Sequence, residues 1–147
     1  HWEWIARIRE TVAVPVTANG EVWTPDDHAR CRAVSGCADV MIGRGVVCDP
    51  FLARRIKSPA PDCTDRSAEW DELKPLLVEF WRQVQTRVIA DHAPGRLKLW
   101  LGSLRRTFES AEALYWAVRP LRTVDAITAT MATHGLPAMP DSLQRAA

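Results

Sequence analysis

Apolar positions fall into two regimes along this chain. In the first, short β-branched runs end in glycine-bearing turns: Val12 to Ala18 (VAVPVTA) stops at Asn19-Gly20-Glu21, and Val40 to Ile42 stops at Gly43-Arg44-Gly45. Runs without polar alternation suit parallel strands buried on both faces, with Pro15 where no ladder donor is required. Each leads into helical text. After the first, Thr24 is a cap, Pro25 suits the first helical position, Asp26 and Asp27 complement the positive helix end, and Gly36 stops the helix after about Ser35. After the second, Asp49 is the expected cap and Pro50 opens "DPFLARRIK". Strand, helix, strand, helix predicts a parallel sheet.

The second regime is helical. From Lys57 the text turns to "SPAPDCTD", and nothing beyond it reads as a strand. The expected organisation is therefore an α/β region over residues 1–58, a linker over 59–68, and a helical domain over 69–147. Its first helix runs from Glu69 to about Asp91, with Trp70, Leu73, Leu77, Phe80, Trp81, Val84 and Val88 in one apolar stripe and Pro75 bending the early turns. A second, Arg96 to Phe108, places Leu97, Leu101, Leu104 and Phe108 on one face. A third follows Ser110 as cap and carries Leu114, Tyr115 and Val118; a fourth spans about Val124 to His134, stopped by Gly135 and Pro137. Short links between four helices predict a bundle, with Trp81 and Trp116 filling its core.

The matching strand ends carry the first candidate site. Asn19 and Gly43 lie 24 residues apart at equivalent positions, hence on one edge of the sheet, where α/β sheets and barrels bind ligands. Gly20 and Gly43 let backbone N–H groups approach an anion, Arg44 can neutralise it, and the helix after each turn offers its positive end. Tight βα connections alone would also use such glycines. His28, on the helix after the first turn, is given no catalytic role.

Composition narrows the partners. The 147 residues are 47% hydrophobic and 25% charged, as in ordinary globular proteins, and the formal net charge is +1. Affinity for nucleic acid must then come from local clustering. Between Gly95 and Arg122 six basic residues (Arg96, Lys98, Arg105, Arg106, Arg119, Arg122) face two acidic ones (Glu109, Glu112), a net +4. On the Arg96–Phe108 helix, Lys98 and Arg105 share one flank of the apolar stripe, and Arg96, Ser103 and the edge of Trp100 the other. Basic residues beside an aromatic suit RNA backbone and unpaired bases; a solvated helix face has the same pattern. Cys31, Cys37, Cys48 and Cys63 form no C-x-x-C pair and have no histidine at zinc-ligand spacing, which points to reduced, partly buried thiols and away from a metal. The opening "HWEWIARIRE" reads as the end of a helix with partners upstream; it has no signal-peptide core and no window approaches a membrane span. The expectation is a cytoplasmic protein without a membrane partner, the chain being a piece of something longer.

Together "VPVTANGEVW", "SGCADVMIGRG" and "RLKLWLGSLRR" followed by "AVRPL" resemble the C-terminal half of bacterial tRNA-dihydrouridine synthases, and among them the tRNA-dihydrouridine(16) synthase subfamily. The resemblance covers nearly the whole chain and weakens after about Asp125. It implies the last βα units of an FMN-bound TIM barrel followed by a helical tRNA-binding domain, monomeric at full length. The implied reaction is reduction of a D-loop uridine at C5=C6, using NADPH through reduced flavin. Carried over by position, Asn19, Gly20, Glu21, Gly43 and Arg44 would hold the FMN phosphate and ribityl end, and Arg96, Lys98, Trp100, Arg119 and, more weakly, Ser103 would touch tRNA.

One part of the family pattern is missing. The catalytic cysteine that protonates the uracil ring belongs to an earlier barrel loop, and none of the four cysteines here matches its motif. Two strands and their helices cannot close a barrel, so the 147 residues are expected to be a fragment without turnover of its own. Two other readings stay open on the residues alone: another phosphate-binding TIM-barrel enzyme with a helical oligomerisation tail, and a non-enzymatic RNA-binding module.

Overall fold

The structure, a computed structural model, describes residues 1–58 and 66–136. It forms two compact units, His1–Cys63 and Thr64–Ala147. Most of the expected linker, with Cys63, and Pro137 onward lie outside the described residues. Among the described residues, no helix is long and apolar enough to cross a membrane.

The first unit runs α1 (Trp2–Thr11), β1 (Ala18–Asn19), α2 (Pro25–Ser35), β2 (Val40–Met41), α3 (Arg44–Cys48) and α4 (Leu52–Lys57). β1 and β2 pair in parallel, Ala18 opposite Val40 and Asn19 opposite Met41. Helix α2 is set by its ends. Thr24 Oγ1 accepts from the Asp27 amide at 3.0 Å, and the Asp27 carboxylate accepts from the Thr24 amide at 3.1 Å, closing a capping box. Gly36 ends it at φ 65°, a left-handed conformation that favours glycine. A small core of Ala18, Val22, Cys31 and Cys37 sits beneath, with Trp2, Ile5, Val16, Val40 and Ile42 packed against it.

The strands are shorter than the apolar runs suggested. The strand expected from Val12 narrows to Ala18–Asn19, because β2 offers ladder partners to only two residues and Pro15 has no N–H to donate. Val12 and Val14 are exposed. Ile42 likewise leaves the ladder and joins the core. Asp49 is not the cap of the next helix. A short helix, α3, intervenes; Asp49 ends it, accepts from the Phe51 amide at 3.1 Å and pairs with Arg55, and α4 starts only at Leu52.

The second unit contains α5 (Ser67–Arg87), α6 (Ala93–Leu104), α7 (Glu109–Val118) and α8 (Val124–Thr133), packed on one another around an apolar core. Trp70, Leu73, Leu77, Trp81 and Val84 of α5 are buried, as the stripe predicted, and Pro75 lies within the continuous helix. Leu97, Leu101, Leu104, Leu114 and Ile127 are fully buried from the other three helices. The Trp81 indole N–H donates to Thr128 Oγ1 at 2.9 Å, tying α5 to α8. Five boundaries move, in α5, α6 and α7. Helix α5 starts at Ser67 and ends at Arg87, where Val88 turns extended. Helix α6 begins at Ala93, since Pro94 fits a first turn, and stops at Leu104. Phe108 is not its last residue but the residue before α7, so Ser110 lies inside the first turn and is not the cap. Helix α8 takes Thr123 as its cap, with Oγ1 accepting from the Ala126 amide at 3.3 Å. Trp81 is 1% exposed, but Trp116 is 48% exposed and does not belong to the core.

On α5, Arg82 donates to both Glu79 carboxylate oxygens, at 2.6 and 2.7 Å, and Gln83 donates at 2.9 Å. These bonds, Arg82's foremost, pull the Glu79 carboxyl from its usual 4.5 to about 2. The folded value lies below the unfolded one, so the cluster stabilises the chain above pH 4.5 and loses that contribution as pH falls towards 2. Replacing Glu79 by Gln is therefore expected to lower the melting temperature slightly at pH 7 and to flatten its fall below pH 4.5. Thermal unfolding of both proteins across that range checks this; identical pH profiles would contradict it.

Candidate phosphate cleft and basic helical face

The two glycine turns meet. Asn19, Gly20, Glu21, Val22, Trp23, Gly43, Arg44 and Gly45 line one cleft of about 280 Å³ at the carboxyl ends of β1 and β2. All five positions singled out as a phosphate cup are brought together here. Gly20 has φ 125° and Glu21 φ 51°, so the first turn uses two left-handed residues in succession. The Trp2 indole N–H, from α1, donates to Gly20 O at 2.8 Å and fixes that turn from behind. A Cβ on Gly20 or Gly43 would meet nothing within 4 Å, which leaves backbone open to the cleft. Gly45 is the opposite case. A Cβ there would stand 2.2 Å from Val22 O and 3.1 Å from both Ile42 and Leu52.

Three side chains form the rim. Arg44 donates to Glu21 Oε1 at 2.6 Å, Trp23 Nε1 donates to Glu21 Oε2 at 2.9 Å, and the Arg44 guanidinium lies 5.3 Å from the Trp23 ring centroid. The Arg44 and Glu21 side chains are 75% and 65% exposed. An ion pair so exposed contributes only about 0–1 kcal/mol. Arg44, at the cleft, can therefore exchange its partner for a stronger anion at little cost. Sequence spacing gives no role to Trp2 or Trp23, beyond the tryptophan that closes "VPVTANGEVW".

The helix ends differ from expectation. The capping box of α2 engages the Thr24 and Asp27 amides, and Trp23 N also reaches Asp27 Oδ2 at 3.2 Å. No residue of α2 is among those lining the cleft. Gly43 caps α3 without a side-chain acceptor, leaving that turn the better donor.

No cysteine lines this cleft. Cys31, Cys37 and Cys48 are free and buried. Burial, foremost, and the neighbouring Cys37 push the Cys31 thiol up, which suits a packing role.

The five positions singled out on the helical face are engaged in different ways. Arg96 is exposed. Lys98 is half-buried and donates from Nζ to Leu121 O at 2.5 Å, joining α6 to the α7–α8 link; burial and then Arg122 lower its pKa. Trp100 packs edge-on against Phe80, centroids 4.7 Å apart. The Ser103 hydroxyl bonds back to Leu99 O at 3.3 Å. Arg119 is exposed, its guanidinium 4.8 Å from the centroid of Trp116.

The signature of the family described as "Dihydrouridine synthase (Dus)" matches residues 1–126. The chain belongs to the dihydrouridine synthase family. It is 54% identical over 123 residues to a tRNA-dihydrouridine(16) synthase of Ralstonia nicotianae, covering 83% of this chain and 37% of that protein. It is 51% identical over 119 residues to one of Aquipseudomonas alcaligenes, covering 81% and 38%. With one of Cupriavidus necator it shares 47% identity over 137 residues, covering 93% and 42%. This dihydrouridine synthase chain thus spans about two fifths of the length of the curated relatives it matches. The family match includes the cleft and the basic helical face alike.

Within the cleft the sharpest constraint is Gly45. Gly45→Ala is expected to destabilise the chain by at least the ~1–3 kcal/mol typical of overpacking, since the clash is with backbone. Urea unfolding measures it; a loss below about 0.5 kcal/mol, the range of neutral surface changes, would show that the turns do not pack as described.

Proposed function

We propose that this chain is part of a cytoplasmic, FMN-dependent tRNA-dihydrouridine synthase. Its first unit would contribute the last βα units of a TIM barrel and hold the cofactor's phosphate and ribityl end, while its helical unit holds tRNA. The observation that carries the reading is the meeting of Asn19, Gly20, Glu21, Gly43 and Arg44 in one cleft, in a chain of this family. The substrate follows the relatives' name, a tRNA uridine at position 16.

The residues fit an organophosphate. Gly20 and Gly43 leave open space where a Cβ would stand, so backbone N–H groups can approach phosphate oxygens. Arg44 can exchange a weak, exposed pairing with Glu21 for a charge-assisted, bidentate contact to phosphate. The Asn19 amide and the Glu21 carboxylate suit the hydroxyls of a ribityl chain, as acceptors and donor in the right combination. When bound, FMN reduced by NADPH supplies the hydride that saturates C5=C6 of the uracil ring. In this chain the residues' part is binding and orientation. On the helical face, Arg96 and Arg119 present exposed charge to RNA phosphates, and Lys98, Trp100 and Ser103 shape the surface between.

Titration of the ¹⁵N-labelled chain with FMN tests the cofactor assignment. Amide signals of Gly20, Gly43 and Arg44 and the Trp23 indole signal are expected to shift, while Gly102 stays in place. Riboflavin, which lacks the phosphate, should bind about tenfold or more weakly, the value of one charged hydrogen bond. Equal responses to both compounds, or none at these positions, would refute the phosphate cleft.

A further inference from the structure

The basic face carries a second large aromatic besides Trp100. Trp100 lies against Phe80, whereas Trp116, expected in the core, stands 48% exposed on α7. Its ring is held by charged groups. The guanidinium carbons of Arg105 and Arg119 lie 5.4 and 4.8 Å from its centroid, and Arg105 is also 4.7 Å from Tyr115. Glu112, one turn earlier, accepts from the indole N–H at 3.4 Å and lies 3.8 Å from Arg105. Apart from an edge-on contact with Tyr115, centroids 5.3 Å apart, this large aromatic is left half in solvent among charged groups, inside a segment of net +4.

We propose that Arg105, Trp116 and Arg119 form a stacking platform for an unpaired nucleotide of RNA. This rests on the RNA-binding reading above and names the place where a base would sit. Every nucleobase has a π-face that an indole or a flat guanidinium can stack on, and the two arginines can meet the flanking phosphates. Glu112 anchors the indole, so little side-chain freedom is lost on stacking. A second copy of this chain would bring like charge against like, whereas RNA brings the opposite.

The test uses the whole chain, a labelled single-stranded uridine 12-mer and fluorescence anisotropy. Trp116→Ala and Trp116→Leu are each expected to weaken binding about tenfold, the loss of one base–aromatic stack, with the salt dependence unchanged. Trp116→Phe should keep most of the affinity. Arg119→Ala should instead lower the slope of log affinity against log salt by about 0.7, one phosphate contact on a single strand. Leucine keeps an apolar side chain without a π-face, so it separates stacking from folding if the alanine variant is unstable. If the parent chain binds the RNA and a folded Trp116→Leu variant binds equally well, the platform is refuted while RNA binding stands. If the parent chain fails to bind at low salt, both readings fall. Self-association lost in Trp116→Leu, with RNA affinity unchanged, would assign the patch to a second copy and overturn the proposal.

Discussion

Ala18 sits opposite Val40, and Asn19 opposite Met41, and the candidate cofactor site depends on that register. Parallel pairing brings the two carboxyl ends to one edge, so that Asn19-Gly20-Glu21 and Gly43-Arg44-Gly45 face the same cleft. A slip by one residue would turn Ala18, fully buried, towards solvent and send Asn19 inward. The ladder itself is too short to hold this arrangement, since each hydrogen bond contributes only about 0.5–1.5 kcal/mol net. What fixes it is the packing of Ala18, Val22, Cys31 and Cys37, together with the approach of Gly45 to the Val22 carbonyl, closer than any side chain permits.

Cations in this chain divide by how they are held. Lys98 places its ammonium on the Leu121 carbonyl and serves the joint between helices; Arg55 pairs with Asp49 and serves the α3–α4 turn. Arg44, Arg105 and Arg119 instead lie over aromatic rings, with part of their surface in solvent. A guanidinium over a ring keeps its in-plane donors available, which a fully engaged ion pair does not. The same device therefore recurs at the candidate cleft and on the helical face, each within its own unit.

Much of this was legible in sequence because local chemistry decided it. Thr24, Pro25, Asp27 and Gly36 bound α2 at both ends, and the stripe from Trp70 to Val84 faces inward as its spacing implies. The convergence of the two glycine turns followed from the equal position of each turn after its strand. What failed depended on neighbours the spacing does not name. The run from Val12 looked like a strand but found ladder partners for only its last residue, Ala18, and for Asn19 beyond it. Phe108 continued an apolar periodicity yet belongs to the next turn, because the chain leaves the helix after Leu104. Trp116 shares helical spacing with buried residues but points away from them, and its arginine neighbours come from two separate segments.

The central claim is that the two turns share one edge through a parallel register. Nuclear Overhauser contacts in the isotopically labelled chain measure this directly. The account predicts cross-strand contacts between backbone protons of residues 18–19 and 40–41, with the Gly45 α-protons close to Val22. Contacts displaced by one residue, or an antiparallel pattern, would contradict it.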